Sequence, residues 1–260
     1  MNHVIELLRQ RTSLRKYAER PLSDEHLDLI LESAMRAPTA GNMMLYSILV
    51  VKDPEKKRIL SETCDHQPFI ASAPVVLIFL ADMQKWYDYY LAGGVKEFCQ
   101  RRGQAFRGPD EGDLLLAACD ALVAAQNAVI AAESLGIGSC YIGDIMENYE
   151  THRELLALPP WAFPIAMLTM GYFPEGWRRI PQPRFARPYV VCEERYRRLT
   201  PAELHQMLGE REARFNPANS LGAANFAQMM YGAKAGAPFA EEMARSVRQA
   251  LRNWRGQELS

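Results

Sequence analysis

From Leu114 to Ser134 the chain reads LLLAACDALVAAQNAVIAAES, apolar at nearly every position and free of Pro and internal Gly. Ala and Leu are strong helix formers, so the pattern predicts one long helix stopped at Gly136 by a C-cap. Such a helix of about 23 residues spans roughly 34 Å. At 100° per residue Asp113, Asp120, Asn127 and Ser134 form one narrow polar stripe, and Gln126 and Glu133 form another. The rest of its surface is apolar, so a core helix buried on most sides is expected. The polar interruptions argue against a membrane span. After the stop, Ile137 to Gly143 reads as a short glycine-bracketed strand or loop. Its glycines suit a turn needing positive φ, or close approach by another segment or a flat ligand.

The same reading gives the remaining elements. Asn2 to Gln10 predicts a helix with Val4, Ile5, Leu7 and Leu8 on its apolar face, followed by the extended basic segment Arg11 to Tyr17. Ser23 caps a second helix running to Met35, and Ala37 to Asn42 is a turn-rich loop. Tyr46 to Val51 and Ala73 to Ala81 are strands separated by a short helix from Glu55 to Thr63. Residues 82–113 place Trp86, Tyr87, Tyr89 and Tyr90 among many glycines, which suggests a surface excursion that could act as a lid. A helix from Asn148 to Leu156, a buried strand from Pro164 to Tyr172 and an edge strand from Tyr189 to Cys192 follow. Pro201 to Phe215 and Ala240 to Trp254 are terminal helices, and residues 216–238 give no clear pattern. The expected class is α+β: a mixed, mostly antiparallel sheet flanked by helices. Residues 1–200 form the main domain, and residues 201–260 are a helical extension of it.

Composition narrows the functional classes. A formal net charge of -1 argues against a nucleic-acid binder. Five widely spaced cysteines with no C-x-x-C, and an N-terminus without a long apolar stretch, point to a reducing cytoplasm. The histidines show no metal-binding spacing, so no metal is expected.

Candidate chemistry lies in basic and glycine-rich segments. Arg11, Ser13 and Arg15 alternate, so an extended backbone turns them to one face, either toward solvent or toward a phosphate-like anion. The tract Arg178 to Pro188 presents further guanidiniums on a proline-stiffened backbone, as a connector or as an anchor. Cys119 and Cys140 read as small buried hydrophobes, and Asp120, if buried, needs a partner such as an Arg or a helix N-terminus.

Five segments in order carry a resemblance: R-T-S-L-R at Arg11 to Arg15, A-P-T-A-G-N at Ala37 to Asn42, H-Q-P-F-I-A-S-A-P at His66 to Pro74, the run from Ala124 to Gly143, and P-R-F at Pro183 to Phe185. In these the chain resembles the FMN-dependent nitroreductase family. The resemblance implies a nitroreductase-like sandwich, a homodimer with the long helix at the interface, and FMN held there without a metal. It implies further that Arg11 and Ser13 meet the flavin phosphate and ribityl chain with Arg184 clasping the phosphate from the other side, that Thr12 also belongs to the cofactor-binding set, and that Arg15 lies by the N1 and O2 edge of the ring. Gln67 would contact the pyrimidine side, Thr39 and Asn42 would come from the partner subunit, and the Tyr141-Ile142-Gly143 backbone would run beside the ring. Many relatives carry a second Arg where Thr12 stands and Gln-Pro-Trp in place of Met44-Leu45-Tyr46.

The activity so implied is NAD(P)H oxidation by a ping-pong route, with two electrons passed to a nitroaromatic, a quinone or a similar acceptor. The catalytic centre would be the flavin itself, with no side chain as nucleophile or general base. Alternatives are flavin storage or sensing without turnover, other flavin chemistry such as dehalogenation or enone reduction, and a helical interaction module without cofactor.

Overall fold

The computed structural model describes residues 2–255. In chain order it contains α1 (His3–Gln10), α2 (Asp24–Met35), β1 (Tyr46–Val51), α3 (Pro54–Thr63), α4 (Pro68–Ser72), β2 (Val75–Asp82), α5 (Gln84–Ala92), α6 (Val95–Arg101), α7 (Glu111–Ser134), β3 (Ile137–Ile142), α8 (Tyr149–Leu155), β4 (Ala162–Tyr172), α9 (Pro201–Glu212), α10 (Phe226–Met230) and α11 (Pro238–Trp254). By compactness they fall into two units, residues 2–180 with 242–255, and residues 181–241.

In the first unit the four strands pair antiparallel in the order β1-β2-β4-β3. The central strand β2 is buried at every position, and its alternating residues divide between two cores. Val75, Leu77 and Phe79 pack with residues of α2 and α7, whereas Val76, Ile78 and Leu80 pack with Leu60, Ile70 and Ile142 on the other face. One parallel bridge, Ser13 to Ser139, adds the N-terminal segment beside β3 and makes the sheet mixed. The α+β sandwich of the sequence reading is present, with β1 at the expected bounds and Ser23 accepting from His26 N at 3.2 Å.

Helix α7 starts earlier than its apolar run, at a capping box made by Asp110 and Asp113. It is long and apolar enough to cross a bilayer by length and composition, but Ala117, Ala121, Ala124, Ala128 and Ala132 lie buried in the cores. Burial on most sides is corrected: Leu115, Leu116, Leu122 and Val123 are exposed, and Cys119 is exposed with them while Cys140 is buried. In α1, too, the apolar residues Val4, Ile5 and Leu8 remain exposed.

The excursion at 82–113 is partly helical. It holds α5 and α6, joined by Gly94 in a left-handed conformation. Trp86 anchors it, donating Nε1–H to Met43 O at 2.7 Å, and Tyr87 packs on Trp161 with ring centroids 4.0 Å apart. Tyr89 is largely exposed. From Glu242 onward α11 caps α8: Glu242 Oε1 accepts from Asn148 N at 3.0 Å and Ser246 Oγ from Tyr149 N at 3.1 Å. In the second unit the expected strand from Tyr189 to Cys192 does not form, because a 3-10 turn over Arg187–Tyr189 takes its start. The unpatterned stretch at 216–238 contains α10 and a π turn over Tyr231–Ala235.

Candidate functional site

The N-terminal strip is laid on the sheet by its smallest residues. Leu14 N donates to Ser139 O at 2.9 Å and Ala18 N to Tyr172 O at 2.9 Å, so residues 13–18 follow the ends of β3 and β4. The facing pair Gly138 and Gly171 makes this possible. A Cβ at Gly138 would come within 2.6 Å of Leu14 Cδ2, and one at Gly171 within 2.7 Å of Tyr17 Cδ1.

With the strip so placed, Arg11, Ser13 and Arg15 all act on the Cys140 thiol, which fits the one-face arrangement expected from their alternation. Burial nevertheless pushes that thiol up, against the hydrogen bond from Ser13 and the two guanidiniums, so Cys140 is a neutral side chain and not a nucleophile. Burial likewise pushes the Tyr141 phenol up to about 12, with Arg11 opposing, and Tyr141 Oη donates to Gln126 Oε1 at 3.4 Å. Glu133 is held above the usual carboxylate range by burial, although Arg179 Nη1 donates to its Oε2 at 2.5 Å. Arg15 lies over the Phe69 ring, 5.8 Å from its centroid, which ties the strip to α4.

Three buried polar atoms along this edge lack a hydrogen-bond partner: Arg11 Nη1, Thr12 Oγ1 and Ser139 Oγ. Leaving a buried polar group unsatisfied costs about 1–3 kcal/mol, so such a set is suited to a ligand rich in acceptor oxygens. At the far end of β3, Ile142 is buried in the core and offers only its backbone, while Gly143 is exposed with nothing within 4 Å of where a Cβ would stand.

Gln67 faces this end. It follows Asp65 and His66, both in the left-handed region at φ 58° and 50°, and its Nε2 donates to Cys64 O at 2.9 Å and to Asp144 Oδ2 at 2.7 Å. Asp144 was absent from the sequence reading. Its only signal was a carboxylate directly after the glycine-bracketed strand.

Thr39 and Asn42 belong to a second cluster. Asp120 accepts from Ala40 N at 3.0 Å and from Leu45 N at 3.2 Å. Its partners are therefore backbone amides of the same chain, where a group such as an Arg or a helix N-terminus was expected. Within the loop, Met44 N donates to Thr39 Oγ1 at 3.3 Å, and Gly41, Asn42 and Met44 are left-handed at φ 55°, 56° and 51°. A loop held in this way, with Gly41, Asn42 and Met44 exposed, is strained and pinned rather than loose. Arg184 lies in the second unit, exposed, with Nη1 donating to Gln182 O at 3.3 Å, beside a cavity of about 460 Å³ that Arg211 and Arg214 also line.

The segments that converge in the first unit are the ones a family model recognises: it matches residues 8–172 and describes the Nitroreductase family. The chain belongs to the nitroreductase family. It is 33% identical to the NAD(P)H FMN reductase of Bacillus subtilis over 196 residues, 75% of either chain. It is 30% identical to an NADPH-dependent oxidoreductase of Staphylococcus epidermidis over 212 residues, 82% of this chain and 80% of that one. Among solved structures, B. megaterium NfrA2 is similar at 30% identity and a TM-score of 0.75, covering 96% of this chain and 98% of its own. In this nitroreductase-family chain every expected site residue except Arg184 falls inside the matched span.

Proposed function

We propose that the protein is an FMN-dependent NAD(P)H oxidoreductase that works as a homodimer by a ping-pong mechanism and reduces a nitroaromatic, a quinone or a similar electron-poor acceptor. The observation that carries this reading is the edge of β3: orphaned donors at Arg11 and Thr12, and open space at Gly143 beside Gln67. When bound, FMN supplies the redox chemistry, accepting two electrons from a nicotinamide and releasing them to an acceptor. The chain supplies placement. Arg11, Thr12 and Ser13 hold the phosphate and ribityl oxygens, and Arg184 is assigned to the phosphate by the P-R-F match. Arg15, steadied on Phe69, brings a fixed cation to the ring edge where the reduced form gathers negative charge. Gln67 and the backbone of Tyr141, Ile142 and Gly143 border the ring.

The homodimer is supported by the exposed face of α7. Leu115 (68% exposed), Leu116, Leu122 and Val123 make one apolar stripe, which a second copy would cover. In such a dimer the pinned loop carrying Thr39 and Asn42 serves the partner's cofactor. We keep residues 1–200 as the FMN-binding domain with residues 201–260 as its extension, and we place the protein in the cytoplasm. The excursion formed by α5 and α6 is a lid on this reading: Tyr89, edge-on to Trp86 but largely exposed, meets acceptors, while Trp86 is the anchor. A Tyr89→Ala variant should then change the ranking of acceptors by kcat/KM and leave the rate of flavin reduction intact.

The test is the absorbance spectrum of the purified protein, before and after anaerobic addition of NADH or NADPH. A flavin spectrum that bleaches with the nucleotide and returns with a quinone is expected. A colourless protein that takes up no added FMN would overturn the reading.

A further inference from the structure

Gln67 has a fixed polarity. Both protons of its amide nitrogen are spent, one on Cys64 O at 2.9 Å and one on Asp144 Oδ2 at 2.7 Å. Its backbone is held as well, since Gln67 N donates to Ser61 O at 2.8 Å and Gln67 O accepts from Ser61 Oγ at 3.0 Å. The amide therefore cannot serve as a donor to anything else, and its carbonyl oxygen is the one group it has left to offer.

What holds Gln67 this way is a carboxyl cluster behind it. Asp144 opens a 3-10 turn directly after Gly143, and the last residue of that turn's cap is Glu147, whose side chain is buried and within hydrogen-bonding reach of Asp144. Two carboxylates cannot share one hydrogen bond unless one of them keeps its proton. The other titratable groups around Glu147 are Asp65 from the turn before Gln67, Glu242 from α11, the Cys64 thiol at the end of α3 and the His152 ring of α8. Glu242 is occupied by Arg245, and burial keeps His152 neutral by lowering its pKa. Among the described residues no basic group is found acting on the Glu147 carboxyl. Burial first, and then Asp144, push it up to about 8. The protonated Glu147 carboxyl is thus the donor to Asp144, and Asp144 Oδ2 is the acceptor for Gln67.

We propose that Asp144 and Glu147 are positioning residues that lock the Gln67 amide as a hydrogen-bond acceptor, so that the site selects a ligand presenting an imide N–H. This inference rests on the FMN reading, in which that group is the pyrimidine-edge imide of the flavin. Loss of the Glu147 proton puts two negative charges side by side in a buried place, and their separation frees Gln67. Cofactor binding is then weaker in alkaline solution, through a group that does not touch the cofactor.

The experiment is an FMN titration of the apoprotein, followed by quenching of flavin fluorescence, from pH 6 to 9. A single ionisation near 8 that abolishes the locked state raises the wild-type Kd about tenfold between pH 7 and 9. Glu147→Gln keeps a permanent donor to Asp144, so its Kd at pH 7 should match wild type and stay flat to pH 9. Asp144→Ala should bind several-fold more weakly at pH 7 and show no pH dependence. A flat wild-type profile, or a Glu147→Gln profile parallel to wild type, overturns the inference and leaves the FMN reading standing. Failure of wild type to bind FMN at any pH overturns both.

Discussion

At Gly138, near the start of β3, an added Cβ would lie 2.6 Å from Leu14 Cδ2, 2.8 Å from Leu14 Cβ and 2.8 Å from Phe173 Cζ, whereas at Gly143, just past its end, it would meet nothing within 4 Å. Both glycines sit in one short segment and read alike in sequence. The first is small because the chain fills the space above it with the strip that carries Arg11 and Arg15. The second is small next to open space, beside an amide whose donors are already committed. One end of the strand is packed and the other is open, and on the proposed reading the packed end positions the charges that a ligand at the open end would use.

The comparison breaks most readily at the packed end. Gly138→Ala forces a methyl against Leu14 Cβ, an atom close to the backbone that cannot swing aside. Overpacking of this kind costs about 1–3 kcal/mol, and with three contacts under 3.0 Å the upper end is expected. Thermal melting of the apoprotein should show Tm falling by roughly 6–12 °C, at about 2–4 °C for each kcal/mol in a chain of this size. An unchanged Tm would show that the strip is not packed on Gly138.

Next in size is the charge the strip delivers. Arg11→Ala removes a charge-assisted contact to the phosphate, typically about 1.5–3 kcal/mol, so FMN affinity should fall roughly 10- to 150-fold while Tm of the apoprotein stays near wild type. Arg15→Ala should chiefly lower the flavin reduction potential. Equal FMN affinity for Arg11→Ala and wild type would remove the strip from the phosphate site. The open end should respond more mildly. Gly143→Ala has room for its methyl, so stability should move by no more than about 0.5 kcal/mol, with a several-fold rise in the Kd for FMN. A large loss of stability there would erase the contrast between the two ends.

How far the sequence showed these features follows from the range of the interactions behind them. Strand β1 was legible to its bounds because Tyr46, Ile48, Val50 and Val51 favour an extended backbone locally, and Ser23 because a cap acts on the next few amides. The alternation of Arg11, Ser13 and Arg15 is also local, and the structure lays all three against Cys140. Helices α5 and α6 were hidden because Gly93 and Gly94 looked like part of a loop when they are only the joint between two short helices. The exposure of Cys119 and of the α7 stripe was invisible, since an apolar residue reads the same whether its own chain or a second copy covers it. Asp120 and Asp144 make their contacts across long sequence separations, to Ala40, Leu45 and Gln67, and no spacing rule connects those positions.

The remaining effect is on the pH dependence of stability, and it isolates the carboxyl cluster behind the open end without any cofactor. Glu147 rises from an ordinary 4.5 to about 8 on folding, mainly because burial penalises its charged form. The folded chain therefore holds this proton more tightly than the unfolded one. Its contribution is fully present below pH 4.5 and is lost progressively as the pH rises through 8. His152 works in the other direction, since burial lowers the pKa of a base, and its contribution is present above the ordinary 6.5 and lost as the pH falls. Wild type alone thus shows a sum of opposing slopes. The difference between wild type and Glu147→Gln removes His152 from the result, because both proteins keep it. Urea unfolding of the two apoproteins from pH 5 to 9 should show the advantage of wild type shrinking, or its deficit growing, as the pH rises, with most of the change complete by pH 8. Parallel curves across that range would mean that Glu147 takes its charge in the folded chain as easily as in the unfolded one, and that Asp144 has no proton-bearing neighbour to hold it.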